Sequence, residues 1–344
     1  STHCCGNPRL PDDADICLGP SGKLPELLAC KDLGWTPSKR RRRVIDAFAF
    51  NGEYAMLEAR LRELAPVVNN TAVLTTELNF KGEVHDTVHV PALPGLIHQR
   101  LPSKAFQGCD TSRCRLSVTK NSVATVVDQL APDDEDFVIF SDIDEIPNRE
   151  IVRLLHECEV PLMGGVPSSR EQKVVFKLAA SAHFIYSTQC LATKSPWVDP
   201  NDGDYNYRGP AILKVKTMRA YGFRTFQFQY RRVNATAPGL GPYATMWDYR
   251  KHKIRCSCCS WHLSSFGGLD MFKTKVRDNS DPWRSRRSMC KDMQHCIEEN
   301  DSVGRRDGLK TVRLSSPATA YPLVPHSVAE MPENFTRILG CKEA

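Results

Sequence analysis

In the first part of the chain, segments with a strand-type pattern of hydrophobic residues alternate with segments that have helical spacing. Residues 44–50 (VIDAFAF) form an apolar run typical of a β-strand, and the Asn51-Gly52 pair after it predicts a turn. Residues 53–64 carry apolar side chains at helical spacing, and residues 70–76 form a second β-type run. The order strand, helix, strand predicts one unit of a parallel sheet.

The next strand is predicted to end in an acidic cluster. Residues 110–130 carry apolar side chains at helical spacing, and they lead into the apolar run FVIF at residues 137–140. The sequence SDIDEIPN follows directly at residues 141–148. In extended backbone, side chains two residues apart leave on the same side, so we expect Asp142 and Asp144 to lie together.

Two neighbouring carboxylates at a strand end favour a divalent metal site. Ligands of open α/β sheets bind at the carboxyl ends of strands, and hard oxygen donors suit Mg²⁺ or Mn²⁺. The alternative is that Asp142 and Asp144 form a polar turn that caps the next helix. A second Asp-x-Asp, at Asp13 and Asp15, lies in a Cys- and Pro-rich segment and predicts a solvated loop.

The second half of the chain predicts further regular elements and two candidate site residues. Residues 150–157 predict a helix, residues 174–186 predict strands, and residues 211–215 predict a short strand. His262 lies in the sequence SWHLSSFGGLD, where a lone histidine is most often packed or hydrogen-bonded. Asp270 follows two glycines, which predicts a turn and the start of a helix.

Length and composition are ordinary for a globular protein. The 344 residues suffice for one large core or two of ordinary size, and 41% of them are hydrophobic. No apolar run approaches about 18 residues, so we expect membrane attachment only through an anchor outside this chain. Residues 1–36, rich in Cys, Pro, Asp and Gly, predict a disulfide-stapled extension, and residues 37–344 form the predicted main domain.

The formal net charge of +6 includes an unbroken basic run, KRRRR at residues 39–43. Such a run is usually a solvated segment, and a surface for polyanions or membranes is the alternative. The run has no interleaved aromatic residues on which bases could stack. We therefore expect no nucleic-acid partner.

Cysteine usage favours an oxidising, glycosylating compartment. The chain has 14 cysteines, an even number, together with four N-x-S/T sequons. We predict that most of the cysteines form disulfides. The alternative is a zinc site in the cluster Cys256-Ser257-Cys258-Cys259 with Cys290 and Cys296, although adjacent cysteines suit tetrahedral zinc poorly.

Four sequence blocks, in this order and at these separations, resemble glycosyltransferase family 17. The blocks are RRRVIDA at residues 41–47, ELNF at 77–80, SDIDEIPN at 141–148, and WHLS with GGLD within 261–270. The family includes the β-1,4-mannosyl-glycoprotein 4-β-N-acetylglucosaminyltransferases. The resemblance covers roughly residues 39–340.

The resemblance implies a GT-A fold for residues 37–344, an α/β architecture with a mixed, mostly parallel central sheet flanked by helices. It implies inverting transfer of N-acetylglucosamine from UDP-GlcNAc to a mannose of an N-glycan core, in a bisecting β-1,4 linkage. The implied cofactor is Mn²⁺ or Mg²⁺, with Asp142, Asp144 and His262 as ligands. The implied partner is a glycoprotein that carries the N-glycan, and we expect the protein in the Golgi lumen or secreted.

Residues that bind the donor are expected on the first strands and on the helix before the acidic turn. Asn51, Glu77 and Asp142 fall at predicted strand ends, which a parallel sheet gathers on one edge. Arg115 and Lys120 are candidates for neutralising the diphosphate leaving group. The full candidate set for donor binding is Phe48, Asn51, Glu77, Arg115, Lys120, Ser141 and Asp142.

The catalytic base and some alternative functions stay open at this point. Inversion requires a carboxylate that takes the proton of the acceptor hydroxyl, and Glu145, Asp248 and Asp270 are the candidates. One alternative is a UDP-sugar transferase with a different glycan acceptor. Another is a non-catalytic, secreted carbohydrate-binding protein whose acidic turn binds Ca²⁺. A metal-dependent phosphohydrolase would share the carboxylates, but it should carry further His/Asp clusters that the sequence lacks.

Overall fold

The structure, a computed structural model, describes most of the first half of the chain and several segments of the second half. The described residues are 25–33, 35–84, 88–160, 175–185, 187–194, 207–221, 253–254, 260–264, 266, 275, 310–313, 321 and 324–336. Their strands are β1 (Thr36–Pro37), β2 (Val44–Ala49), β3 (Asn70–Thr76), β4 (Leu96–Leu101), β5 (Phe137–Phe140), β6 (Glu145–Pro147), β7 (Cys158–Glu159), β8 (Val175–Ile185), β9 (Ser187–Lys194), β10 (Tyr207–Lys214), β11 (Lys253–Ile254), β12 (Ser260–Ser264) and β13 (Lys310–Arg313). Their α-helices are α1 (Tyr54–Leu64), α2 (Ser112–Asp128), α3 (Arg149–Glu157), α4 (Val215–Tyr221), α5 (His326–Glu330) and α6 (Glu333–Thr336).

Among the described residues, 11 strands form a mixed sheet at the centre of the fold. Its main path runs in the order β13-β9-β8-β10-β5-β2-β3-β4. Strands β5, β2, β3 and β4 are parallel to one another, and β10 is antiparallel to β5. The central five strands, from β10 to β4, are therefore mostly parallel, as expected for a GT-A-like fold.

The strand order reverses between β2 and β5. From β2 the chain proceeds outward through β3 to β4, and it then returns to place β5 on the other side of β2. Such a reversal opens a crevice at the carboxyl ends of the two strands, because the connections leave in opposite directions. The acidic sequence after Phe140 and the turn after Phe50 therefore meet at this edge.

Helices cover both faces of the parallel strands. Successive strand residues point to opposite faces, and apolar residues occur on both. On one face, Ile45 and Ala47 of β2 pack with Val123 and Val126 of α2. On the other face, Phe48 packs with α1 residues such as Met56. A strand that is apolar on both faces must be buried between two layers of helices, as β2 is.

Most of the predicted elements of the first half are confirmed. Strands β2, β3 and β5 and helices α1, α2 and α3 lie within the predicted segments to within two residues. Strand β4, LIHQRL, was not predicted. It is the outermost parallel strand and alternates between half-buried and exposed residues, so its apolar signal is weak.

The segment before residue 37 contacts the main core. Leu28 and Trp35 are buried and pack with Leu154 of α3. A disulfide joins Cys30 to Cys158, and Cys158 directly follows α3. The division of the chain at residue 36 stays a prediction, but these contacts show that the end of the predicted extension is part of the core.

The basic run at residues 39–43 is engaged by acidic side chains within the fold. Arg40 pairs with Asp133 at 2.8 Å, and Arg43 pairs with Asp136 at 2.9 Å. Arg42 pairs with Glu159. Because β2 and β5 are neighbours, the residues that precede them lie side by side, and this brings the basic run to the acidic segment before β5.

Two disulfides are present among the described residues, which agrees with an oxidised protein. One is Cys30–Cys158, and the other joins Cys109 to Cys114 at the start of α2. The cluster at residues 256–259, with Cys290 and Cys296, lies outside the described residues. Within the described segments, no helix is long and apolar enough to cross a membrane.

We predict that the two disulfides contribute unequally to stability. Cys30 and Cys158 are 128 residues apart, whereas Cys109 and Cys114 are five residues apart. Chain entropy predicts that serine substitutions lower the free energy of unfolding by about 5 kcal/mol for the long loop and about 2 kcal/mol for the short one. Denaturant unfolding under non-reducing conditions measures both losses, and an equal or larger loss from the short loop would contradict the prediction.

Candidate active site

The acidic segment after β5 forms a tight turn at the switch point of the sheet. The amide of Glu145 donates to the carbonyl oxygen of Asp142 at 3.0 Å, and residues 143–144 have turn backbone. The expected extended backbone through residues 142–144 is therefore not found. A turn forms because the chain reverses direction at once into β6, which pairs with β12.

A fully buried arginine, Arg60 of α1, organises this turn from below. Its Nε and Nη2 donate to the Asp46 carboxylate at 2.8 and 2.7 Å. Its Nη1 donates to the carbonyl oxygens of Asp142 and Glu145, both at 2.9 Å, and Nη2 also donates to Ser141 Oγ at 2.9 Å. All five guanidinium N–H groups are thereby used. The turn is held by its backbone, which leaves the aspartate carboxylates to face the site.

Asp142 is the exposed carboxylate of the turn. Its side chain is 48% exposed, and Oδ1 accepts a hydrogen bond from Lys120 Nζ at 2.7 Å. Lys120 comes from α2 and is itself buried, so the helix presents a fixed positive charge at the turn. The Asp142 amide donates to the carboxylate of Glu145 at 3.2 Å. Glu145 is buried and closes the turn from within.

Asp144 points into a buried cluster on the other side of the turn. Lys275 Nζ lies 2.9 Å from Asp144 Oδ2 and 3.2 Å from a carboxylate oxygen of Glu53. His262 Nε2 lies 3.7 Å from Asp144 Oδ1. β12 places His262 there, because His262 is opposite Glu145 in the pairing with β6 and the Leu263 amide donates to the Asp144 carbonyl oxygen.

The electrostatics of this cluster follow from burial and charge. Burial raises the pKa of Glu53 above its ordinary value, although the nearby Lys275 opposes the change. Burial would also raise the pKa of Asp144, but Lys275 and His262 outweigh it and hold that pKa well below its ordinary value. The two carboxylates in turn raise the pKa of Lys275 against the effect of its own burial. Lys275 is therefore a permanent cation.

Several predicted site residues make hydrogen bonds within the fold. Ser141 is buried, and its hydroxyl donates to the Glu145 carbonyl oxygen. Arg115 donates to the carbonyl oxygens of Phe80 and Cys109, at 2.8 and 2.6 Å. Glu77 accepts from the Ser103 amide at 2.7 Å, which lowers its pKa.

The remaining predicted residues divide between the site edge, the core and the undescribed segments. Asn51 lies in the bend after β2, at the edge where the acidic turn also lies. Phe48 is fully buried, and its ring lies beneath the Arg60 guanidinium at 4.7 Å. Asp248 and Asp270 lie outside the described residues.

Three site residues were missed by the sequence reasoning. Glu53 and Arg60 are part of the helix predicted at residues 53–64, which was identified only from its apolar positions. The sequence did contain one signal for Arg60. It lies at helical spacing from Met56, Leu57 and Leu64, on the side of α1 that carries the apolar residues. Lys275 had no comparable signal, since 130 residues separate it from Glu145.

The described residues contain no group of three His, Cys, Asp or Glu side chains that could hold a metal ion by themselves. Asp144 and His262 are the predicted ligands that the structure brings together. Asp142 is in the same turn, on its exposed side. A metal ion at this site would thus need substrate oxygens or water in addition to protein ligands.

The sheet order and the acidic turn at its switch point define an α/β protein of the GT-A type. Residues 22–165, which make up less than half of the chain, match the family model described as Glycosyltransferase family 17, and this match supports a glycosyltransferase. The match includes β2, Arg60 and the whole acidic turn. No curated protein matches the chain.

We predict that Arg60 is required for stability far more than its neighbour Arg62. Arg60→Met leaves the buried Asp46 without its partner, which should lower the free energy of unfolding by about 3–5 kcal/mol. Arg62→Met removes a pair with Glu58 in which both side chains are about half exposed, and it should cost less than about 1 kcal/mol. Urea unfolding of both variants measures the difference, and similar losses would show that the turn does not depend on Arg60.

Proposed function

We propose that the protein is an inverting glycosyltransferase that moves N-acetylglucosamine from UDP-GlcNAc to a mannose of an N-glycan core. The observation that carries the proposal is the acidic turn at the switch point, in the part of the chain that matches the family 17 model. Donor phosphates bind at such an edge in α/β proteins. The two disulfides support a place in the secretory pathway, in the Golgi lumen or outside the cell.

Transfer from a nucleotide sugar needs positive charge at the leaving diphosphate. As the bond from the sugar to the diphosphate breaks, negative charge grows on the phosphate oxygens. Lys120 supports this role, because its ammonium is held at the exposed side of the acidic turn. Of the two predicted basic residues, Lys120 is therefore the one that we keep for the donor. Arg115 is engaged with backbone carbonyl oxygens instead.

The charges at the turn fit a divalent cation. Asp142 pairs with Lys120, while Asp144 and Glu53 share Lys275, so acidic side chains outnumber the ammonium groups in these pairs. Oxygen and imidazole nitrogen donors both suit Mn²⁺.

Asp144 and His262, with Asp142 at the exposed side, would hold such an ion. The atoms Asp144 Oδ1 and His262 Nε2 are close enough for both to contact one ion. When bound, the ion would act as a Lewis acid that stabilises the departing diphosphate. The protein's own part is to hold Asp144 ionised, which its lowered pKa ensures at neutral pH.

The catalytic base is best sought outside the turn. Glu145 is buried, and its carboxylate accepts the Asp142 amide, so it serves the shape of the turn rather than the acceptor hydroxyl. Asp248 and Asp270 remain the candidates for the base. Glycosyltransferases act on a glycan acceptor, and we propose that the acceptor here is an N-glycan of a glycoprotein.

We predict that UDP-GlcNAc with Mn²⁺ stabilises the protein against heat. A ligand at about 100 times its Kd adds about 2.7 kcal/mol of stability, which corresponds to a rise in Tm of roughly 4 °C for a chain of this length. GDP-mannose is the control donor and should have a smaller effect. Differential scanning fluorimetry measures the shift. A non-catalytic carbohydrate-binding protein would not respond to the nucleotide sugar, so an unchanged Tm would favour that alternative.

We predict that Asp142→Asn and Asp144→Asn each lower the transfer rate by at least about 100-fold, because each weakens the proposed cation site that would offset the negative charge on the leaving diphosphate. The control is Asp128→Asn, which removes a half-exposed surface pair with Arg219. Transfer of radiolabelled N-acetylglucosamine to an N-glycan measures the rate, and circular dichroism checks the fold. Near-normal rates in both purified site variants would contradict the assignment of the turn.

A further inference from the structure

Lys275 occupies an unusual position for a lysine. Its side chain is only 20% exposed, and its ammonium lies between the carboxylates of Asp144 and Glu53. These carboxylates come from two connections of the sheet, the loop after β5 and the loop after β2. Lys275 therefore joins both sides of the crevice at the switch point.

The ammonium has bonding capacity beyond these two contacts. A lysine ammonium carries three N–H donors, and Asp144 and Glu53 account for two of them. The side chain also keeps 20% of its surface exposed. Among the contacts with described residues, one donor is thus left for an oxygen atom that enters the site.

A role in stability alone explains the position of Lys275 between two carboxylates less well than a role in binding. Burying a lysine between carboxylates removes three charges from water, and such pairs often add little net stability. Arg60 of α1 already ties the loop after β5 to Asp46 of β2, with every guanidinium N–H group used. The cluster of Lys275 with Asp144 and Glu53 therefore fits a preorganised binding group better than a second stabilising contact.

We propose that Lys275 binds the diphosphate of the donor, as a fixed positive charge beside the metal-binding pair Asp144 and His262. The inference rests on the proposed function, and it assigns part of the phosphate binding to a residue far along the chain. Glu53 and Asp144 position the ammonium so that the diphosphate meets an ordered charge. Glu53 is then a positioning residue, since it acts through Lys275.

The test measures binding of UDP and of uridine by titration calorimetry in Mn²⁺ buffer, so that no acceptor or transfer step is involved. Lys275→Met should weaken UDP binding about 10- to 100-fold, which is the effect of losing one charge-assisted hydrogen bond. Uridine has no phosphates, so its affinity should not change. Lys275→Arg keeps the charge and should retain most of the UDP affinity.

A second variant, in which one carboxylate is neutralised together with Lys275, distinguishes a lost phosphate contact from misfolding caused by unpaired charges. Lys275→Met alone leaves Glu53 and Asp144 with like charges, so the double variant Glu53→Gln/Lys275→Met is measured as well and should lose the same UDP affinity. Lys216→Met is the matched control, because Lys216 pairs with Glu135 before β5, at the opposite edge of the sheet. It should bind UDP like the unchanged protein.

The outcomes separate this inference from the proposed function. If the unchanged protein binds UDP and the double variant binds it equally well, the assignment of Lys275 is wrong while the donor assignment stands. If the variants lose UDP and uridine affinity together, Lys275 is a structural clamp and the inference also fails. If the unchanged protein binds no UDP with Mn²⁺ present, the proposed donor itself is wrong.

Discussion

The buried ion pair between Arg60 and Asp46 is the interaction on which the site depends. Asp46 lies within a strand that is buried on both faces, where an unpaired carboxylate would be strongly destabilising. Arg60 satisfies it and also binds the backbone of the acidic turn, so one guanidinium couples β2, α1 and the end of β5. A polar connection inside the apolar layer thus specifies where the turn must lie.

The two aspartates of the turn form different kinds of charge pair, one exposed to solvent and one buried. Asp142 meets Lys120 from α2 on the side open to solvent, whereas Asp144 meets Lys275 and His262 in a nearly enclosed space. Burial would raise the pKa of Asp144, but Lys275 and His262 hold it well below its ordinary value. An ionised Asp144 is what the proposed binding of a cation at this edge requires.

The elements of the first half were predictable because their signal is local. The alternation in β2, the apolar run of β5 and the helical spacing of α1 each follow from burial of neighbouring residues in one element. The position of Asp142 and Asp144 at the end of a buried strand follows from the same pattern. The resemblance to family 17 also rested on contiguous blocks, and the matched residues 22–165 include three of the four.

The sequence by itself therefore determined the α/β class, the acidic segment after β5 as the centre of interest and the resemblance to family 17. Tertiary structure alone decided which polar side chains contact one another around the acidic turn. Arg115 and Ser141 look like donor contacts in the sequence, but the fold uses them to bind backbone carbonyl oxygens. Lys275 joins Asp144 across 131 residues, and no local pattern encodes such a pair. A contact between distant residues depends on how sheet connections converge, which is settled only when the whole sheet assembles.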